Sequence, residues 1–153
     1  MPLYQSGAVL NRRSAFHQHP DGTLGVREAS FTWPVNAVNN DVVEMIPVNP
    51  GERVIDVQIG VEATPEGGAQ KATLEVGDGD DTDRYIGVGA LDAEFVKNGG
   101  WATIPTSGSF AVAMARNHTY DDEDTIDVRV AAAPTAGARG RIFMRALVIE
   151  AGS

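Results

Sequence analysis

Residues Arg53–Ala63 read RVIDVQIGVEA. Ile55, Val57, Ile59 and Val61 alternate with Asp56, Gln58 and Glu62. A period of two gives a β-strand one apolar and one wet face. Working outward, the same pattern recurs. In Lys71–Val76 the inward residues are Ala72, Leu74 and Val76, and in Thr125–Ala132 they are Ile126, Val128 and Val130. Phe110, Val112 and Met114 alternate with small alanines. Thr23–Trp33 ends at Pro34, and Asp41–Val48 ends at the turn Asn49-Pro50-Gly51. Arg84–Gly89 reads as one more strand. Arg141–Ile149 is apolar on both faces, as expected of a central strand or one covered by a partner.

The expectation is therefore an all-β fold of eight antiparallel strands. At this size a two-sheet jelly-roll sandwich over residues 23–153 is the usual eight-strand solution. An immunoglobulin-like sandwich is the runner-up, although it lacks the Cys…Trp…Cys pattern. Leu91–Asn98 is expected to form one or two helical turns, with Leu91 and Phe95 four apart. It lies in the longest connection, Ala90–Ser109, whose Phe95 and Trp101 are candidate contact residues for a subunit or partner. The alternative is a folded cap over a sheet edge.

Residues 1–22 have no clear period. They carry Arg12, Arg13, His17 and His19 and a single acid, Asp21. Two readings stand: a frayed terminus, or an extended arm that lies along a neighbouring acidic surface. His17 and His19 share the spacing of two metal ligands on one strand face. They precede the core, and Glu28 lies too far along to complete a cupin-type set, so no metal is expected there.

The remaining 131 residues hold nearly all the acid in a chain of 153 residues with 21 acidic and 12 basic side chains, a formal charge of −9. That balance argues against a general nucleic-acid binder, which needs a basic footprint, and against an anionic membrane surface. No stretch nears the roughly 20 apolar residues of a membrane helix. Residues 1–16 lack the apolar core of a signal peptide, so synthesis in the cytosol is expected. Absence of cysteine removes disulfides, thiolate zinc sites and cysteine nucleophiles.

The acid gathers in two places. One is Asp78, Asp80, Asp81 and Asp83, between two strand-like runs, and the other is Asp121, Asp122, Glu123 and Asp124. In a jelly roll the two loops are two connections apart and emerge at the same end. Counted from Asp78, an EF-hand loop would need glycine sixth and glutamate twelfth, but Asp83 and Gly89 stand there. Three readings stay open: a solvated acidic hairpin partly neutralised by Arg84, an irregular cation site, or a patch for a basic partner. His118 reads as a turn residue. There is no G-x-S-x-G elbow, no P-loop and no complete dinucleotide loop. No enzyme and no cofactor is expected.

LEVGDGDDTDRYIGVGAL (Leu74–Leu91), followed by TIDVRVAAAPTAGARGRIFMRALVIEA (Thr125–Ala151), resembles the capsid cement or decoration proteins of short-tailed and other tailed phages. The shared features are the acidic D-G-D-D-x-D-R-Y/F segment and a late strand pair joined by a Pro-Thr-Ala-Gly loop. The resemblance covers roughly Val54 to Ala151. It implies a non-enzymatic jelly roll on the outside of an icosahedral shell, made in the host cytoplasm. Such a protein bridges major capsid protein subunits as a homo-oligomer, a dimer by preference or a trimer, and stabilises the capsid. A carbohydrate-binding jelly roll for host attachment is the alternative function. A metal-dependent or hydrolytic enzyme is a third.

Overall fold

A computed structural model describes residues 3–7, 9, 24–33, 38–63, 72–105, 117–132 and 140–149. The expected strand around Phe110–Met114, and Arg12, Arg13, His17 and His19, lie outside them.

The elements that the described residues trace from end to end are β1 Leu3–Gln5, β2 Leu24–Thr32, β3 Val42–Val48, β4 Arg53–Val61, β5 Thr73–Gly77, α1 Ala93–Asn98, β6 Gly100–Thr103, β7 His118–Thr119, β8 Asp124–Ala132 and β9 Arg141–Ile149. One sheet has the order β1-β3-β8-β5, the other β2-β9-β4-β6, with β7 also paired to β4. From β2 to β6, successive strands alternate between the two sheets. The inner faces of both sheets share one apolar core. One sheet contributes Val43, Met45, Ile46 and Val48 of β3 and Ile126, Val128 and Val130 of β8, and the other contributes Val54, Val57 and Ile59 of β4 and Met144, Ala146 and Val148 of β9. Each Val, Ile or Met among them contributes roughly 1.5–3 kcal/mol by leaving water. Conformational entropy offsets most of the sum.

Four expectations need correction. First, the strands number nine among the described residues, and β1 pairs with β3 in parallel, so the fold is not wholly antiparallel. Second, β1 lies inside the region read as an aperiodic arm. Tyr4 points into the body, against Phe31 and Trp33 at ring distances of 5.6 and 5.7 Å. Third, Arg84–Gly89 is not a strand. Only Ile86 bridges to Val76, while Tyr85 and Ile86 are buried. Fourth, β4 is bulged between Val54 and Asp56 against β9. The extra residue shifts the alternation, so Val54 joins Val57 and Ile59 in the core and Ile55 does not.

β9 lies centrally, between β2 and β4. Its inner residues Ile142, Met144, Ala146 and Val148 are buried, while the outer ones between them, Phe143 to Leu147, are half-buried. The short helix starts at Asp92, whose carboxylate accepts from the Phe95 amide at 2.9 Å, and it delivers the chain to β6 at the sheet edge.

Candidate functional site

The acidic end is built on a fold-back at Gly77. A Cβ there would lie 2.1 Å from the Asp81 carbonyl oxygen, so only glycine lets the 78–82 turn close over the end of β5. Asp78 then sits inside the turn, 2% exposed. Its Oδ1 accepts from the amides of Asp80 (3.1 Å) and Asp81 (2.9 Å). Its Oδ2 accepts from Arg84 Nε (2.5 Å) and from the Tyr120 hydroxyl (2.9 Å). With the Tyr120 proton committed to Asp78, the Tyr85 hydroxyl is the donor in the 2.7 Å contact between the two phenols. Burial pushes both phenols well above the ordinary tyrosine range, and they stay protonated. Arg84 Nη1 lies 3.2 Å from His118 Nδ1. A guanidinium can only donate, so Nδ1 accepts and the imidazole is neutral. Burial, then the Arg84 charge, hold its pKa below the usual histidine value. His118 packs edge-on against Tyr120 with ring centroids 4.6 Å apart.

The four carboxylates of the first acidic run thus have different roles. Asp78 is the keystone of the turn, with four donors on two oxygens. Asp80 and Asp83 are exposed and Asp81 is half-buried, and its side chain lies 3.4 Å from the Asp83 amide. The Asp121–Asp124 loop stands alongside: a Cβ on Gly79 would lie 3.4 Å from Asp124 Oδ1. Asp80, His118, Tyr120 and Asp121–Asp124 line an open cavity of about 430 Å³. Burial raises the Asp124 carboxyl above the ordinary value. Among the described residues, no group of three His, Asp or Glu side chains is arranged to hold a metal ion. Asp78 could offer an oxygen to a cation only by giving up one of its four donors.

An aromatic shelf lies on the other sheet. Trp101 of β6 is 58% exposed. Its six-membered ring rests on β4 at Gly60, where a Cβ would lie 3.1 Å from the indole, so glycine makes the platform possible. Phe143 of β9 meets it edge-on at 5.4 Å. Beside the pair, Arg141 and Glu62 face each other loosely at 4.0 Å, and both are more than half exposed. Together these residues line a cavity of about 320 Å³. Phe95, by contrast, packs half-buried against the core.

Sequence reasoning missed Arg27 and Glu52, which form a two-pronged ion pair in the interior at 2.6 and 2.7 Å. They are 25 residues apart, and nothing local marks them. It also missed the tyrosine pair and the cross-strand neighbours Glu44 and Asp127.

No protein-family model and no curated protein sequence matches the chain. Three solved structures share its fold, and all are of phage capsids. A chain in the capsid of Ralstonia phage GP4 is 20% identical with a TM-score of 0.69, and the match covers 99% of both chains. One in the cyanophage Pam1 capsid asymmetric unit is 16% identical with a TM-score of 0.63, over 90% of this chain and 96% of that one. One in the acidic stable capsid of Helicobacter pylori bacteriophage KHP30 is 16% identical with a TM-score of 0.55, over 85% and 90%. At such identities the likeness is one of fold: this chain is a two-sheet β-protein of a form found in phage capsids.

Proposed function

We propose that this chain is a structural virion protein that binds the outside of an icosahedral phage capsid and cements neighbouring major capsid protein subunits. The observation that carries this reading is the end-to-end match: 99% of this chain lies on 99% of a chain in a phage capsid. The two proteins are therefore of similar length and share one β-fold. The alternation of successive strands between the sheets supports a jelly roll. The capsid neighbours favour a structural over an enzymatic role.

Cement binds through many shallow contacts, and repeated copies add avidity. In this reading the chain acts as a homo-oligomer, a dimer by preference. Residues 1–22 act as an arm rooted at β1, with Arg12, Arg13, His17 and His19 reaching an acidic neighbour. Trp101 is the apolar anchor. Asp80, Asp121 and Asp122 face basic groups or solvent.

Co-sedimentation with capsids stripped of accessory proteins tests the proposal. The full chain is expected to pellet with the shells and to raise their melting temperature. Deleting residues 1–22 is expected to weaken binding at least tenfold, about 1.4 kcal/mol. Equal binding by the truncated protein removes the arm from the contact, and no binding by the full chain sinks the cement reading. Trp101→Ala is expected to cost about 1 kcal/mol of fold stability, the scale of the edge contact with Phe143. Its effect on capsid binding should be larger, about 2 kcal/mol, as for a hot-spot aromatic.

The flat, exposed indole with Arg141 and Glu62 beside it also favours a second reading, a carbohydrate-binding module for host attachment. A glycan array separates the two. Trp101-dependent binding to a glycan, without capsid binding, would replace the first reading with the second.

A further inference from the structure

The outer face of the β1-β3-β8-β5 sheet carries a row of side chains in register: Gln5, Glu44 and Asp127, ending at Gly77. Glu44 and Asp127 are direct cross-strand neighbours, an arrangement that like charges destabilise. The 78–82 turn that folds over Gly77 also roofs this row. Leu3, Val42, Glu44, Asp78, Gly79, Thr82, Asp127 and Arg129 enclose a cavity of about 310 Å³. Among the described residues the cation nearest the pair is Arg129, which lines the same cavity and is engaged by Glu75 and by Asn40. Asp127 Oδ1 accepts from the Thr125 hydroxyl at 2.5 Å. Glu44 Oε2 accepts from the Gln5 side-chain amide at 2.6 Å, a side-chain bond that holds the outer face of β1 and has no second of its kind among the described residues. The backbone adds the Ser6 amide to the Glu44 carbonyl at 2.8 Å.

We propose that Glu44 and Asp127 form a proton-dependent latch on β1, and through β1 on the chain before β2. With Asp127 protonated, Glu44 keeps its place opposite and holds Gln5. When Asp127 ionises, two adjacent carboxylates repel under the 78–82 roof, Glu44 swings toward solvent, and β1 loses its outer tie.

The carboxylates around Asp127 all act in one direction, and the Thr125 hydroxyl acts in the other. Burial, followed by the charges of Glu44, Asp124 and Asp78, push its carboxyl up to about 8, against the pull of the Thr125 bond. The latch is therefore closed at neutral pH and opens in mild alkali. The folded chain holds this proton more tightly than the unfolded chain, whose aspartate titrates near about 3.9. The stabilising contribution is complete below that value and is lost as pH rises to about 8. The latch does not depend on the capsid reading, and its test needs no capsid.

NMR of the full chain between about pH 6 and 9.5 tests it. The Asp127 carboxyl is expected to titrate near 8, and the Gln5 side-chain amide to shift with the same midpoint. Amide protection at Tyr4, Gln5 and Ser6, corrected for intrinsic exchange, is expected to fall about tenfold across it. In Asp127→Asn, which mimics the protonated acid, the Gln5 shift should vanish and protection stay level. Glu44→Gln keeps an acceptor for Gln5 and removes the repulsion. It should lower the Asp127 midpoint by about one unit and leave β1 protected throughout. The latch is overturned if Gln5 ignores the Asp127 titration, if its shift survives in Asp127→Asn, or if Asp127 titrates below pH 6.

Discussion

Replacing Asp78 by alanine is expected to cost about 3–5 kcal/mol of stability, the range for removing one partner of a buried, hydrogen-bonded ion pair. Four donors lose their acceptor at once: the amides of Asp80 and Asp81, Arg84 Nε and the Tyr120 hydroxyl. Tyr120 and Tyr85 are 4% and 2% exposed, so water cannot easily replace the carboxylate. An unmet buried donor costs about 1–3 kcal/mol, and the total is below the simple sum because the turn will relax and admit water. Asp80→Ala and Asp122→Ala are the controls. Both residues are exposed, and such substitutions fall within about 0.5 kcal/mol of zero. Urea unfolding of the three variants measures the contrast. Equal midpoints would mean that the acidic run is a solvated surface after all and that Asp78 is no keystone. Asp78→Asn keeps one acceptor oxygen and should fall between the extremes.

That contrast also marks how far the sequence could be read. Alternation in Leu74–Val76 and Ile126–Val130 was legible because a strand with one wet face repeats every two residues. The two-sheet architecture followed from the number and spacing of such runs. The bulge in β4 was not legible, since one inserted residue looks the same as uninterrupted alternation until its partner β9 is known. β1 is three residues with no apolar pair, and its partner lies 39 positions away, so no local signal marks it. Arg84–Gly89 carries the apolar spacing of a strand. It stays irregular because its backbone bonds to β5 converge on Val76 instead of running along it. The acidic run showed its charge but not its division of labour. Which aspartate turns inward is decided by Gly77 and by Arg84 and Tyr120, one of them 42 residues away. Loop topology did bring the Asp78 and Asp121 loops into one neighbourhood.

The second large effect is expected at Arg27 and Glu52. Arg27 projects inward from β2, 3% exposed, and Glu52 is 4% exposed at the turn before β4. The guanidinium meets the carboxylate through two parallel bonds and also donates to the Pro47 carbonyl at 3.0 Å. Glu52 accepts in turn from the Asn49 amide at 2.7 Å. The pair therefore ties the edge strand β2 to the β3–β4 turn across the two sheets. Glu52→Ala leaves a buried guanidinium with one carbonyl for company and is expected to cost about 3–5 kcal/mol. Arg27→Met should cost less, because the methionine refills part of the space and the carboxylate can take a proton. Replacing both with apolar side chains of similar volume is expected to recover most of the loss, since a well-packed apolar pair often matches a buried ion pair. A double-mutant cycle on unfolding free energies should then show a coupling of at least about 2 kcal/mol. A coupling near zero would mean that each charge is satisfied separately, by Pro47 and by Asn49, and that the bridge adds nothing. An inward charge on an edge strand also discourages pairing with a stray strand. The double variant, although stable, is therefore expected to associate more readily at high concentration, measurable by sedimentation velocity.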